Sequence, residues 1–367
     1  MDGTKSALAA TAVNTVRGPM PVSEMGMTLM HEHLICDWSR HATEPNDRLA
    51  RERYYAVTDP TMHWLLTEDP WSCLDNIRLD EAEPTVEELG QFAAMGGRTV
   101  VECTNADIGR NPQALRDISE RSGLNVVMGS GWYVHPYHAP ETIGLDIETL
   151  SAQLITEFTD GVEGTGIRPG IIGEIGVSPL FTEHERVRLR AAARAQRNLH
   201  VPMLIHLPGW QRRAHEVLDI VVDEERVRPE AVVLCHMDPS GVDPDYQRKV
   251  ADRGVWLEFD MIGMSTYYAG EGQSPAPDQT AAAIALLVEN GHGPQILLSH
   301  DLSVKSMWTR NGGNGFGYIP RLFLDRLERH GVPAEVTAGL LTANPAATFV
   351  AADGRVERQP ESGDRQW

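Results

Sequence analysis

The stretch TLMHEHLICDW, residues Thr28 to Trp38, sets His31 and His33 on either side of one glutamate at the end of an apolar run. On an extended strand, residues i and i+2 point to the same face, so the two imidazoles would converge on one point. A metal ion needs that geometry. An exposed strand also carries His-x-His by chance, so the rest of the chain has to give the pair its meaning.

Working outward, seven more short apolar runs rich in β-branched residues follow. They are RTVVEC from 98, NVVMGSG from 125, GIIGEIG from 170, PMLIH from 202, AVVLCH from 231, VWLEFD from 255 and QILLSHD from 295. Amphipathic stretches separate them, with recognisable ends. Thr85 with Glu88 predicts a capping box, and Gly96-Gly97 a stop. Asn111-Pro112 predicts a second helix start that Gly123 closes, and Thr182 with Glu185 a second box before RVRLRAAARAQRN. Continuous apolar strands alternating with helices imply a parallel sheet covered on its outside. Eight such units close most economically into an α/β fold of the (β/α)8 TIM-barrel type. The rival is an open doubly wound sheet, which a Gly-rich phosphate loop after an early strand would favour; none is present. The expected organisation is a flexible N-terminus over 1–14, a single barrel domain over 15–352 and a flexible tail over 353–367.

In such a barrel, function sits where strands end. Three long connections belong there: Asp37 to Asp80 with Trp38, Tyr54, Tyr55, Trp64 and Trp71, Asp260 to Pro277, and RNGGNGFGY from Arg310. Long loops without a helix of their own serve as lids, binding loops, covers or subunit contacts.

The formal net charge is −20, with 52 acidic residues against 32 Lys plus Arg. Nucleic acid and anionic membrane surfaces require clustered positive charge, so neither partner is expected. The four cysteines, Cys36, Cys73, Cys103 and Cys235, lie far apart with no C-x-x-C, which fits a reducing, cytoplasmic setting. No apolar run reaches the roughly eighteen residues of a membrane span. The start, MDGTKSALAATAVN, is too weakly apolar for a secretory signal.

The polar residues at the ends of the runs are His31, His33, Cys103, Glu174, His206, His236, Asp260 and Asp301. Charged groups inside apolar strands are costly to bury unless paired or metal-bound. Four histidines, one Glu and one Asp on one rim therefore point to metal. Six ligands exceed one tetrahedral ion and suit two ions about 3.5–4 Å apart with a bridging hydroxide as nucleophile. The cofactor expected is a pair of divalent ions, zinc first, with manganese, cobalt or iron compatible with the same ligands. Most other histidines are expected to be solvated, and His300 to point outward, away from the rim.

HxH on the first strand, a bridging carboxylate on the fourth, His on the fifth and sixth and Asp on the eighth resemble the amidohydrolase superfamily. NTVRGPMPVSEMGMTLMHEHL, GVEGTGIRPGII, LSHD and GVPAEVTAGLLTANPAATF resemble, more narrowly, the phosphotriesterase family, over roughly Asn14 to Val350. The resemblance implies that His31, His33 and Asp301 hold the more buried ion and His206 and His236 the more exposed one. It also implies that Asp301 takes a proton from the attacking hydroxide. The paraoxonase-like branch has a carboxylated lysine in the fourth strand; GIIGEIGVS has none. The chain is similar instead to the phosphotriesterase-related and phosphotriesterase-homology proteins, in which a glutamate bridges the ions, and that points to Glu174. Met261 in FDMIG stands where lactonase members often carry an arginine. Trp132 and Tyr133 in GSGWYVHP match the neighbourhood of a tyrosine that lactonase relatives place beside the metals, where it orients the substrate oxygen or simply packs. Lys305 and Arg310 either hold an anionic substrate group or are solvated loop charges. The implied function is metal-dependent hydrolysis of a small-molecule ester, lactone or amide. The alternatives are phosphotriester hydrolysis at the same site and, more remotely, a non-catalytic receptor that retains metal. A homodimer is the family expectation.

Overall fold

Each of the eight apolar runs forms one strand of a single parallel sheet: β1 Met27–Glu32, β2 Gly97–Glu102, β3 Asn125–Ser130, β4 Ile171–Gly176, β5 Met203–His206, β6 Val232–Leu234, β7 Trp256–Phe259 and β8 Ile296–Leu298. They follow one another around the sheet in chain order, and every neighbouring pair is parallel. The seam between β8 and β1 closes beyond the strands themselves. The Asp301 N–H donates to the His31 carbonyl at 3.2 Å and the His33 N–H to the Leu302 carbonyl at 3.3 Å. The fold is the expected (β/α)8 barrel. This computed structural model describes Leu8 and residues 11–354.

Buried side chains alternate between two separate cores. Met30, Val101, Val127, Ile171, Leu204 and Val233 fill the barrel interior. Leu29, Val100, Val126, Ile172, Met203 and Leu234 face outward under the helices. This alternation explains why the strands read as continuous apolar runs: both faces are covered.

Two irregularities break it where it matters. Leu29 pairs with Val100 and Glu32 with Glu102, so Met30 and His31 together oppose one residue. Likewise Ile172 pairs with Met203 and Ile175 with Ile205, leaving Gly173 and Glu174 opposite Leu204. Each is a bulge, which shifts every following side chain to the other face. With Met30 and Ile171 inside, strict alternation would have sent His31 and Glu174 outward; the bulges turn both inward. Gly173 is required at the second: its φ is +138°, and a Cβ there would lie 2.7 Å from the Leu204 carbonyl oxygen.

The domain limits need correction. Ala12–Thr15 forms a hairpin with Gly18–Pro21, and Val13, Met20 and Val22 join Phe349 in the core beneath the barrel. At the other end, the last helix, Ala343–Asp353, runs one residue past the expected limit. The rest of the two termini lies outside the described residues. The 37–80 connection is not a bare loop: it contains the helices Arg48–Tyr54 and His63–Glu68 and the ribbon Cys36–Asp37 with Arg78–Leu79. All four cysteines are free and buried. Among the described residues, no helix is long and apolar enough to cross a membrane.

The caps divide. Asn111 caps Pro112–Ser122, which ends on left-handed Gly123, as expected. The Thr85 box does not form, because its helix starts earlier, at Ala82; Thr85 bonds the Leu34 and Glu81 carbonyls, and Glu88 instead accepts from Thr309. The Thr182 box does form at the start of Glu183–Leu199. Its buried Glu185 also accepts from the His135 N–H at 2.9 Å and the Ser178 hydroxyl at 3.0 Å, tying the loops after β3 and β4 together. We therefore expect Thr182→Ala to cost about 1 kcal/mol. Glu185→Ala should cost about 2–3 kcal/mol, because it orphans several donors at once. Thermal denaturation checks both; equal losses for the two variants would contradict the bracing role of Glu185.

Candidate metal centre

Glu174 stands at the barrel mouth with four imidazoles around it. Its Oε2 lies 3.0 Å from His206 Nδ1, 3.6 Å from His236 Nε2 and 3.7 Å from His31 Nε2. Its Oε1 lies 3.5 Å from His33 Nε2. Asp301 closes the ring, with Oδ1 3.2 Å from His33 Nε2 and 3.8 Å from His31 Nε2. The structure thus brings together all six residues singled out as ligands, from five different strand ends.

The strand ends bend to achieve this. His236 and Asp301 have left-handed backbones, φ +60° and +50°. For non-glycine residues that conformation is strained and collects at functional sites. Behind the ring a second set of groups fixes the rings' directions. His236 Nδ1 bonds Asp260 Oδ1 at 2.8 Å, and Asp260 Oδ2 lies 3.3 Å from His31 Nδ1. His33 Nδ1 bonds the Thr104 hydroxyl at 2.8 Å. The Glu32 carboxylate, on the opposite face of β1, accepts from the Ser299 hydroxyl, the His300 and Leu302 N–H groups and His300 Nδ1. Asp260, met in the sequence as one more strand-end carboxylate, is therefore an orienter of His236 that also lies beside His31. Such outer partners are a regular feature of metal-ligating histidines.

The electrostatics are those of cations called for by buried anions. Burial pushes the His33 imidazole down, but Asp301 and Glu174 outweigh it and hold the pKa at about 9. Burial would raise Glu174, yet the charges of His206 and His31 and the bonds to His206 and His236 keep it well below the usual carboxylate range. Both His31 ring nitrogens are buried without a hydrogen-bond partner, and an orphaned buried polar atom is costly. His31, His33 and Asp301 form one possible ligand set, and His31, Glu174 and His236 another. Imidazole nitrogens and carboxylate oxygens suit a divalent first-row ion.

Above this floor opens a cavity of about 330 Å³. Its walls include Trp38, Trp71, Tyr133, Tyr137, Trp210 and Tyr268, with Met261 beside the floor. Of the five expected substrate contacts, Tyr133 and Met261 line it. The other three need correction. Trp132 is buried in the outer core, where its carbonyl accepts from Gly176. Lys305 is buried with Nζ 2.6 Å from Asp75, so its charge is spent on the 37–80 insertion. Arg310 is exposed and turned away toward Glu87. The sequence marks Trp38 and Trp71 only as part of an aromatic insertion. Trp210, which follows β5, carried no signal. Two histidines expected to be solvated are not. His300 does point away from the centre but is buried on Glu32. His138 is buried on the Tyr133 carbonyl, with burial and Arg188 lowering its pKa to about 3.

Comparison with known proteins places relatives over most of the chain. The family model described as "Phosphotriesterase family" matches residues 11–349. An N-acetyltaurine hydrolase from Tetraodon nigroviridis is 32% identical over 91% of this chain and 96% of its own. Among solved structures, a resiniferatoxin-binding protein from Rhodobacter sphaeroides superposes with a TM-score of 0.90 at 42% identity, over 95% of this chain and 97% of its own. A lactonase from Listeria monocytogenes superposes with a TM-score of 0.74 at 25% identity, over 92% and 99%. From its strand-end histidines to its full-length likeness, the chain belongs to the phosphotriesterase family and is a hydrolase.

Proposed function

We propose that this hydrolase opens an ester, lactone or amide of a small molecule at a binuclear metal centre, with Glu174 between the ions. The observation that carries the reading is the position of that carboxylate, within 3.0–3.7 Å of a nitrogen on each of four histidines. His31, His33 and Asp301 would hold one ion, and His206 and His236 the other. The family is metal-dependent, and two divalent ions, zinc first, when bound supply a Lewis acid for the carbonyl and a water acidic enough to attack at neutral pH. Relatives named for an amide and for a lactone support a carbonyl over a phosphoryl centre.

The chain's own groups do the rest. The Asp301 carboxylate is partly open to the cavity and beside His33, placed to take the proton of the attacking water and return it to the leaving oxygen or nitrogen. Asp260 holds His236 in one tautomer and direction through its bond to Nδ1. The Tyr133 ring lies edge-on to His206 at 5.0 Å and walls the floor on the side from which a carbonyl would enter.

Metal must displace the proton that His33 keeps up to about pH 9. Loading at pH 7.5 should therefore release protons, and affinity should rise with pH until about 9. Calorimetry in buffers of different ionisation enthalpy reads the release; buffer-independent heats would count against His33 as a ligand. The variants test the rest. Asp301→Asn should lose about 10²–10⁴-fold in turnover. Glu174→Gln should lose the second ion, since an amide lacks the charge to hold two cations about 4 Å apart. Reconstitution should need no bicarbonate, because no lysine carbamate forms. Metal analysis and a panel of lactones, N-acyl amines and aryl phosphotriesters decide the outcome. A Glu174→Gln enzyme with two ions and full activity would overturn the centre, and preference for the phosphotriesters would overturn the carbonyl assignment.

A further inference from the structure

Taking the hydrolase reading as given, the cavity walls say what the far end of the substrate must be. Among the described residues, no Lys or Arg side chain lines the cavity. The cations near the rim are committed elsewhere. Lys305 is paired with Asp75 at 2.6 Å. Arg212 donates to the carbonyls of Gly209, Trp210 and Pro239 and lies over the Tyr246 ring. Arg213 binds Glu216 and the Pro179 carbonyl, and Arg40 donates to the Tyr137 carbonyl. Among the described residues, the one charged side chain of the walls above the floor is an acid, Glu271, exposed at the tip of the hairpin Tyr267–Tyr268 with Gly272–Gln273.

The walls themselves are aromatic and held in place. Trp71, Trp38, Tyr133 and His206 form a chain of edge-to-face contacts with centroids 6.4, 5.2 and 5.0 Å apart. Trp38 Nε1 donates to the Ser303 carbonyl at 3.0 Å. On the far side the hairpin lies directly on Trp210: a Cβ on Gly272 would come within 2.3 Å of the indole nitrogen. Tyr268 stands 5.5 Å from the Trp210 ring with its hydroxyl donated to Met264 Sδ. These rings offer apolar area without a counter-ion, in a volume at the lower end of pockets that bury drug-sized ligands.

We propose that the substrate is an uncharged carbonyl compound whose remote part is a bulky apolar or aromatic group, gripped between Trp38 and Trp71 on one side and Trp210 and Tyr268 on the other. Anionic N-acyl compounds are excluded. An N-acyl taurine carries a sulfonate, and here that group would meet aromatic walls and the Glu271 carboxylate with no cation to pair it. An anion moved into such surroundings without a partner is strongly disfavoured. The activity named for the 32%-identical relative therefore does not carry over to this chain.

The test uses the zinc-loaded enzyme and two matched pairs: 4-tert-butylbenzyl alcohol against 4-(hydroxymethyl)benzenesulfonate for binding, and the acetate esters of the same two alcohols for turnover. Sulfonate is chosen because it is a poor metal ligand. By calorimetry the neutral alcohol should bind at least about tenfold tighter, and its ester should have a kcat/KM at least about tenfold higher. Glu271→Arg should raise the sulfonate-to-neutral ratio in both by about tenfold, and Trp210→Ala should weaken the neutral alcohol. The sulfonate ester turned over as well as the neutral one would leave the hydrolase intact and overturn this inference. Binding of neither alcohol would overturn it too. The neutral alcohol bound preferentially, with no ester hydrolysed, would uphold the cavity's preference and count against the hydrolase reading.

Discussion

One buried negative charge organises the mouth of this barrel. Glu174 sits almost wholly out of solvent with a ring nitrogen of His31, His33, His206 and His236 around it. Removing a partner from a buried ion pair is typically worth about 3–5 kcal/mol, because the remaining charge is left uncompensated. The four imidazoles cannot therefore be treated as independent. His206, His31 and His236 hold the carboxylate ionised, and Asp301 with that carboxylate keeps His33 protonated to about pH 9. Barrel closure depends on the same residues, since the seam from β8 to β1 runs through the backbones of His31, His33 and Asp301. The residues proposed for the chemistry are thus also the last stitch of the fold.

The backbone departs from regularity in order to place that charge. A straight β4 with Ile171 inside would turn Glu174 toward the helices. The bulge at Gly173 reverses this, and only glycine fits there because the Leu204 carbonyl leaves no space for a Cβ. The bulge at Met30–His31 does the same for the first histidine pair. Left-handed His236 and Asp301 complete the convergence. Strain of this kind persists only where surrounding contacts over-determine it. Here Asp260, with two bonds to the His236 N–H and one to its ring, supplies them.

The sequence shows the strands and all six candidate ligands because both rest on local rules: apolar runs bounded by turns, and polar residues stranded at their ends. What it hides is set by distance. Lys305 reads as a free cation near the site, but Asp75, 230 positions earlier, claims it. Trp132 and Tyr133 are neighbours, yet one packs under the helices and the other over the floor. Thr85 satisfies a local capping rule but is diverted by the Leu34 carbonyl from another element. Even the correct inward placement of His31 and Glu174 required bulges that no periodicity announces.

The division of labour within the mouth then follows from which parts are strand and which are loop. The floor is built from strand ends locked by the sheet, and in the proposed function its donor set would set the class of reaction. The walls come from the 37–80 insertion, the turns after β3 and β5 and the hairpin after β7, where sequence can change without disturbing the barrel. With divalent cations bound, the floor attracts a carbonyl oxygen or an anion alike, so it cannot reject an anionic substrate. On the proposed reading rejection comes from the walls, where among the described residues the one charged side chain is that of Glu271. The whole-protein charge of −20 acts in the same direction at longer range. On the proposed reading, a hydrolase built this way would recognise the reacting group by its floor and choose among substrates by the absence of a cation above it.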